Sequence, residues 1–233
     1  MREIVLDTET TGMEPADGHR LIEIGCVELD NHIPTGRTWH QYINPERSVP
    51  PDAVAVHGLT DVFLKDKPVF SQVFTDFLDF CGESRLVIHN AAFDMKFLNA
   101  ELKTVGFPSL SMKRVTDTLL MAREKFPGSP ANLDALCRRF GIDNTNRTLH
   151  GALLDAELLA EVYLELLGGR QRGLGLLADQ DTKAGQDAAS ETGKSRPYRA
   201  PRAYTLSPEE KAAHEALLDK LTDPIWREIK KAG

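Results

Sequence analysis

Cysteine is scarce in this chain: three occur in 233 residues, Cys26, Cys81 and Cys137. An odd number with no C-x-x-C pair speaks against a disulfide framework or a cysteine-built zinc site, and it fits a reduced cytoplasm. Long apolar runs are missing too. None approaches the roughly 18 residues that a membrane span requires, so no membrane association is expected. Glu3 and Asp7 leave no room for the apolar stretch of a secretory leader, and none is expected here. Positive charge is in deficit, with 28 Lys and Arg against 35 Asp and Glu, a formal net of −7. The deficit is local. Residues 1–169 hold 16 basic and 25 acidic side chains, a net of −9, while 170–233 hold 12 and 10, a net of +2. An acidic body argues against holding nucleic acid by bulk electrostatics. It leaves open a meeting with phosphate through bound cations.

What remains is an ordinary globular composition, 41% hydrophobic and 27% charged. The length suits one medium domain with an appendage, or two small domains, with a core that needs no staples. The pattern changes near Gly168-Gly169. Residues 178–195 carry no large apolar side chain and read as a flexible linker, extended here to 178–199, because burial there cannot offset chain entropy. Ser207-Pro208-Glu209-Glu210 then offers an N-cap, a Pro at the first helical position and a capping-box acid. Ala213, Ala216, Leu217 and Leu221 form a thin apolar stripe behind it, too short to stand without a partner surface.

The body reads as mixed α/β. Glu3–Glu9, Arg20–Leu29 and Thr38–Ile43 are strand candidates close enough for an antiparallel meander. Phe70, Val73, Phe74, Phe77 and Leu78 share one helix face. Arg85–His89 reads as a short buried strand. Helices are expected at about 91–105, 117–125, 132–140 with Gly141 as C-cap, and 151–167 ended by Gly168. Strands first, then strand–helix alternation, point to a mixed sheet with helices packed on it.

Three acidic features punctuate that pattern. Asp7-Thr8-Glu9 ends the apolar run Ile4-Val5-Leu6, and alternation along a strand puts Asp7 and Glu9 on one face. Two adjacent carboxylates at a buried strand end repel, and a divalent cation removes the conflict. Asp94 follows the strand Arg85–Ile88, on the first turn of a helix that Asn90 is placed to cap. Asp155 stands five residues after His150, so both reach one site if His150 lies just before the helix and Asp155 on its first turns. Taken singly, each has an ordinary reading: a turn cap and a solvent-facing acid, an acid favoured by a helix dipole, a capping or buried histidine. Together they form an all-oxygen donor set with a charge of −4, suited to two Mg²⁺ or Mn²⁺ ions and not to zinc. Two such ions form the clamp used for in-line phosphoryl displacement, and a neutral histidine beside it can take a proton from water.

These residues resemble the signature of the DEDDh 3′–5′ exonucleases, most closely the epsilon-type proofreading branch of bacterial DNA polymerase III. The likeness extends to Val5–Met13, Val56-His57-Gly58, Ile88–Asp94 and Arg147–Asp155, and it covers 1–169 strongly and the tail less so. The resemblance implies a ribonuclease-H-like fold and hydrolysis of the 3′-terminal phosphodiester of a single-stranded DNA end, releasing nucleoside 5′-monophosphates. It implies that Asp7 bridges both metals, that Glu9 and Asp94 complete the leaving-group side, that Asp155 holds the metal of the nucleophilic water, and that His150 is the general base. It further implies that Glu9, Thr10 and Met13 meet the terminal nucleotide and that His57, Asn90 and Phe93 line the groove; Met13 covering a turn, and His57 and Phe93 as core, are the competing readings.

Gln171, Leu174 and Leu176 resemble a bacterial sliding-clamp motif, Q-x-x-L-x-L, within 170–177. Residues 200–233 resemble the segment that attaches to the polymerase catalytic (alpha) subunit, with Tyr204, Leu217, Leu221, Ile225 and Trp226 as anchors. Two rivals stand beside this reading, a free-standing DEDDh enzyme that trims RNA or oligoribonucleotides and a non-catalytic structural subunit.

Overall fold

The structure is a computed structural model and describes residues 1–169 and 207–222. Strand β1 (Arg2–Thr10) pairs antiparallel with β2 (Leu21–Asp30), and β2 with β3 (Ile33–Tyr42). Beyond β1 the sheet turns parallel: β4 (Arg85–Ile88) lies beside β1, and β5 (Val115–Asp117) beside β4. The order is β3-β2-β1-β4-β5, so β1 is central.

Both faces of the sheet are covered, which is why β1 reads as an unbroken apolar run. Ile4 and Leu6 face α3 (Phe70–Cys81) and α4 (Ala91–Thr104), packing with Phe70, Phe77, Phe97 and Leu98. Val5 faces the other way, toward α5 (Thr118–Lys125), α6 (Leu133–Phe140) and α7 (Ala152–Leu166), with Leu136, Leu159 and Val162. The two-residue period of β1 therefore sends Glu3, Val5, Asp7 and Glu9 toward the α7 layer and Thr8 toward α4.

Helix α7 is fastened to the sheet along its length. At its start it presses on Gly25, the β2 partner of Asp7; a Cβ there would lie 2.3 Å from the backbone of Ala152 and Leu153. Near its end the Tyr163 hydroxyl donates to buried Glu3 at 2.9 Å. Lys125 of α5 donates to the carbonyls of Glu165 and Leu166, closing the helix C-terminus.

The expected meander, the helix from 70 and the four later helices are present, with Gly141 in the left-handed region at the end of α6. Four features differ from expectation. The edge strand β3 begins at Ile33, five residues early, because its first half is exposed and carries no apolar alternation. Asp117 ends the short strand β5 and caps α5, accepting from the backbone N–H of Leu119 and Leu120. Two short helices, α1 (Pro51–His57) and α2 (Asp61–Leu64), interrupt the path from β3 to α3. Asn90 precedes α4 but its side chain makes no capping bond; the residue adopts φ 64°, and the backbone N–H groups of Asn90 and Ala91 donate to Asp117 instead.

In the second described segment, Ser207 caps α8 (Pro208–Leu218) with the reciprocal Ser207–Glu210 bonds its sequence announces. Leu217 and Leu221 are exposed. Gln171, Leu174 and Leu176, the 178–199 stretch, and Tyr204, Ile225 and Trp226 lie outside the described residues. Among the described residues no helix is long and apolar enough to cross a membrane.

Candidate active site

The acids meet where β1 ends. Asp7, Glu9, Asp94, Asp155 and His150 all line one cavity of about 450 Å³. Asp7 and Glu9 arrive on the α7 face of β1, as alternation requires. Asp94 comes round from α4 and is held by the Thr8 hydroxyl, which donates to Oδ1 at 2.7 Å. The α7 contact at Gly25 sets Asp155 opposite them. His150 precedes the helix, and its backbone N–H donates to the Val56 carbonyl of α1 at 3.1 Å. The Gly58 that follows α1 leaves room for Leu149, whose Cδ1 lies 2.7 Å from where a Cβ would stand, at φ +75°. The motif Val56-His57-Gly58 thus seats the segment that carries His150.

Glu9, His150 and Asp155 each present a ligand atom within 4.8 Å of the other two. Glu9, Asp94 and Asp155 are buried, while the His150 side chain is 48% exposed. Burial dominates the electrostatics. It pushes Glu9 up to about 8, helped by Asp155 and Glu23, and Asp94 up to about 7. Asp7 is raised well above the carboxylate range by burial first and then by Asp94, Glu9 and Asp155. Carboxylates crowded to this degree hold protons or cations. Because the carboxylates offer only oxygen, the site fits hard divalent cations.

Comparison with known proteins decides the family. A family model described as Exonuclease matches residues 4–163. A DNA polymerase III subunit epsilon of Salmonella typhimurium is 48% identical over 237 aligned positions, covering 97% of both chains. The chain belongs to the exonuclease family, in its polymerase III epsilon branch. The epsilon subunit of Rickettsia felis is 58% identical over 174 residues, 73% of this chain and 76% of that one. Among solved structures, the nuclease domain of 3'hExo, described as a DEDDh family member bound to rAMP, has a TM-score of 0.60 at 21% identity, covering 71% of this chain and 91% of that one. That likeness supports the ribonuclease-H-like fold.

Among the lining residues outside the sequence motif's acids and histidine, Arg147 makes the most contacts with them. Arg147, with a side chain only 7% exposed, grips Asp155 with both arms of its fork, Nε to Oδ1 at 2.5 Å and Nη2 to Oδ2 at 2.7 Å. Nη1 donates to Asp134 of α6 at 2.9 Å, and Nη2 reaches His150 Nδ1 at 3.1 Å. Its proximity to His150 and Asp155 in sequence was a signal, but Arg147 lies in an irregular segment where periodicity says nothing.

The remaining expected contacts gather around a second cavity of about 550 Å³, lined by Glu9, Thr10, Met13, His57 and Phe93. Glu9 and Phe93 line both cavities and so separate them. Met13 is 73% exposed, yet Lys96 of α4 holds its carbonyl at 3.1 Å. The Thr10 hydroxyl donates to the Gly12 carbonyl at 2.6 Å, closing the turn. His57 is buried; its Nδ1 accepts from the Leu59 N–H, and its Nε2 is the one buried side-chain polar atom without a partner among the described residues. Asn90 lies with the acids in the first cavity, not in the second.

Proposed function

We propose that this exonuclease removes mispaired 3′-terminal nucleotides for a replicative DNA polymerase, releasing nucleoside 5′-monophosphates. The observation that carries the reading is the convergence of Asp7, Glu9, Asp94 and Asp155 with His150 in one pocket of an exonuclease fold. The four carboxylates would hold two divalent cations, Mg²⁺ or Mn²⁺, whose chemistry when bound would be to acidify a water and to neutralise charge on the phosphate being cleaved. His150, at the exposed side of the pocket, takes the proton of the attacking water. The second cavity takes the terminal base and sugar. Met13 and Phe93 offer apolar surface, Thr10 and the unpartnered Nε2 of His57 polar contact, and Asn90 lies beside the phosphate path. An unpaired end enters more readily than a paired one because less stacking and pairing must be broken, so melting itself selects errors.

The domain plan follows the same reading. Residues 1–169 are the nuclease, 170–177 meet the sliding clamp through Gln171, Leu174 and Leu176, 178–199 link, and 200–233 bind the polymerase catalytic subunit, in the cytoplasm where the chromosome is copied. The 97% coverage of the Salmonella epsilon subunit, tail included, supports this plan.

The test is degradation of 3′-labelled oligonucleotides. Mg²⁺-dependent release of mononucleotides from single-stranded DNA, faster from a mispaired than a paired primer end, is expected. His150→Ala is expected to lower turnover by about a hundredfold or more, the usual worth of a general base, with DNA binding kept. Preference for RNA oligomers would favour a trimming enzyme, and no release at all a structural subunit.

A further inference from the structure

The arrangement around Arg147 conflicts with a free general base. Arginine only donates hydrogen bonds, so the contact from Nη2 at 3.1 Å makes His150 Nδ1 an acceptor. In the neutral imidazole the ring proton then sits on Nε2, and neither nitrogen has an open lone pair. Asp155 is engaged too: each of its oxygens accepts one bond from the guanidinium, which leaves lone pairs free but sets the arginine charge against any cation that approaches them. A cation that takes Asp155 must take an oxygen that Arg147 grips. The same side chain therefore controls a metal ligand and the proton acceptor.

Arg147 also has somewhere to go. Asp134 already accepts from Nη1 at 2.9 Å, and its side chain is 47% exposed, against 4% for Asp155. Asp134 is anchored in turn by Asn144, which donates to it at 3.0 Å. Among the residues lining the acid cavity, Arg147 is the one lysine or arginine.

We propose that Arg147 is a latch. Its fork keeps Asp155 and His150 paired with itself and swings to Asp134 when a divalent cation claims Asp155, freeing a His150 ring nitrogen as it leaves. Nuclease competence then follows cation loading, because one displacement delivers the ligand and the base together. Arg147 is a positioning residue, and Asp134 is the seat that receives it. The inference rests on the reading of Asp155 as a metal ligand and adds the control of that site.

Titration of the full chain with Mn²⁺ alone, followed by calorimetry, tests it. Losing a charge-assisted competitor is expected to tighten Mn²⁺ binding about tenfold in Arg147→Gln. Asp134→Asn, which takes away the receiving seat, is expected to weaken binding several-fold in the native background and to have no effect in Arg147→Gln. Additive effects of the two substitutions would reduce Asp134 to a bystander charge and overturn the latch. Arg147→Lys keeps the charge without the fork and is expected to fall between native and Arg147→Gln, so the comparison survives if the glutamine variant folds poorly. Nitrogen NMR of the His150 ring gives a second readout. In chelator, the native protein should show an Nε2-protonated ring that changes on adding Mg²⁺, whereas Arg147→Lys should show the changed ring in chelator already. Identical spectra for the two proteins would overturn the proposal. Nucleotide release by the native protein with no change in these readouts removes the latch alone; a latch without nucleotide release removes the nuclease reading alone.

Discussion

At the scale of single residues, the site stores its chemistry as electrostatic conflict. Glu9 at about 8 and Asp94 at about 7 hold protons in the folded chain that the unfolded chain releases near the ordinary carboxylate values of 4.5 and 3.8. The native state thus binds more protons across that interval, and linkage makes stability fall as pH rises from about 4.5 to 8. In chelator, the thermal midpoint should drop between pH 5 and pH 8, and Glu9→Gln should flatten the decline. Added Mg²⁺ or Mn²⁺ should raise the midpoint more at pH 8 than at pH 5, because at the lower pH protons occupy the same oxygens. A pH-independent midpoint in chelator would contradict the crowding. The acids and His150 were legible as a set: alternation in β1 pairs Asp7 with Glu9, Asp94 falls on the first turn of α4, and Asp155 follows His150 into α7. Arg147 was not, since its importance comes from four contacts made across a loop, to Asp155, Asp134 and His150.

At the scale of elements, much of the fold could be read because its strands and helices have committed faces. The spacing from Phe70 to Leu78 announces α3, and the apolar run before Asp7 announces a strand covered on both sides. Elements without such faces escaped: the exposed first half of β3, the three residues of β5, and α1, whose only buried side chain is His57. The use of Asn90 escaped for a different reason. Its residue type suits a cap, but a positive φ and the competing carboxylate of Asp117 turn the backbone elsewhere. Gly25 shows how one element places another. Gly25→Ala would drive a methyl group into the first turn of α7, shifting Asp155 and His150 away from Asp7 and Glu9. Turnover should fall by about a hundredfold, the usual toll of an ångström of misplacement. Stability should fall by about 1–3 kcal/mol from overpacking. Kinetics and thermal melts of the variant check both, and native turnover would show that α7 can yield without harm.

At the scale of the molecule, the chain joins a nuclease body to a segment of different charge. Relatives from Rickettsia match over 174 residues and those from Salmonella over 237, so likeness is stronger in identity over part of the chain and broader in reach over the whole. A chain ending at Gly169 is expected to keep full activity on single-stranded DNA and to lose co-elution with the polymerase catalytic subunit. Gel filtration of the mixture and an oligonucleotide assay separate the two outcomes, and a truncated chain that still co-elutes would place the polymerase contact on the body. The fastening of α7 bears on the proposed attachment. From Asp155 to Leu166 the helix runs about 17 Å, and between those points Tyr163 is tied to Glu3 and the far end to Lys125. If the tail attaches as proposed, tension applied beyond Gly169 is grounded in the sheet before it reaches the acids, and the pocket keeps its geometry while the tail is pulled.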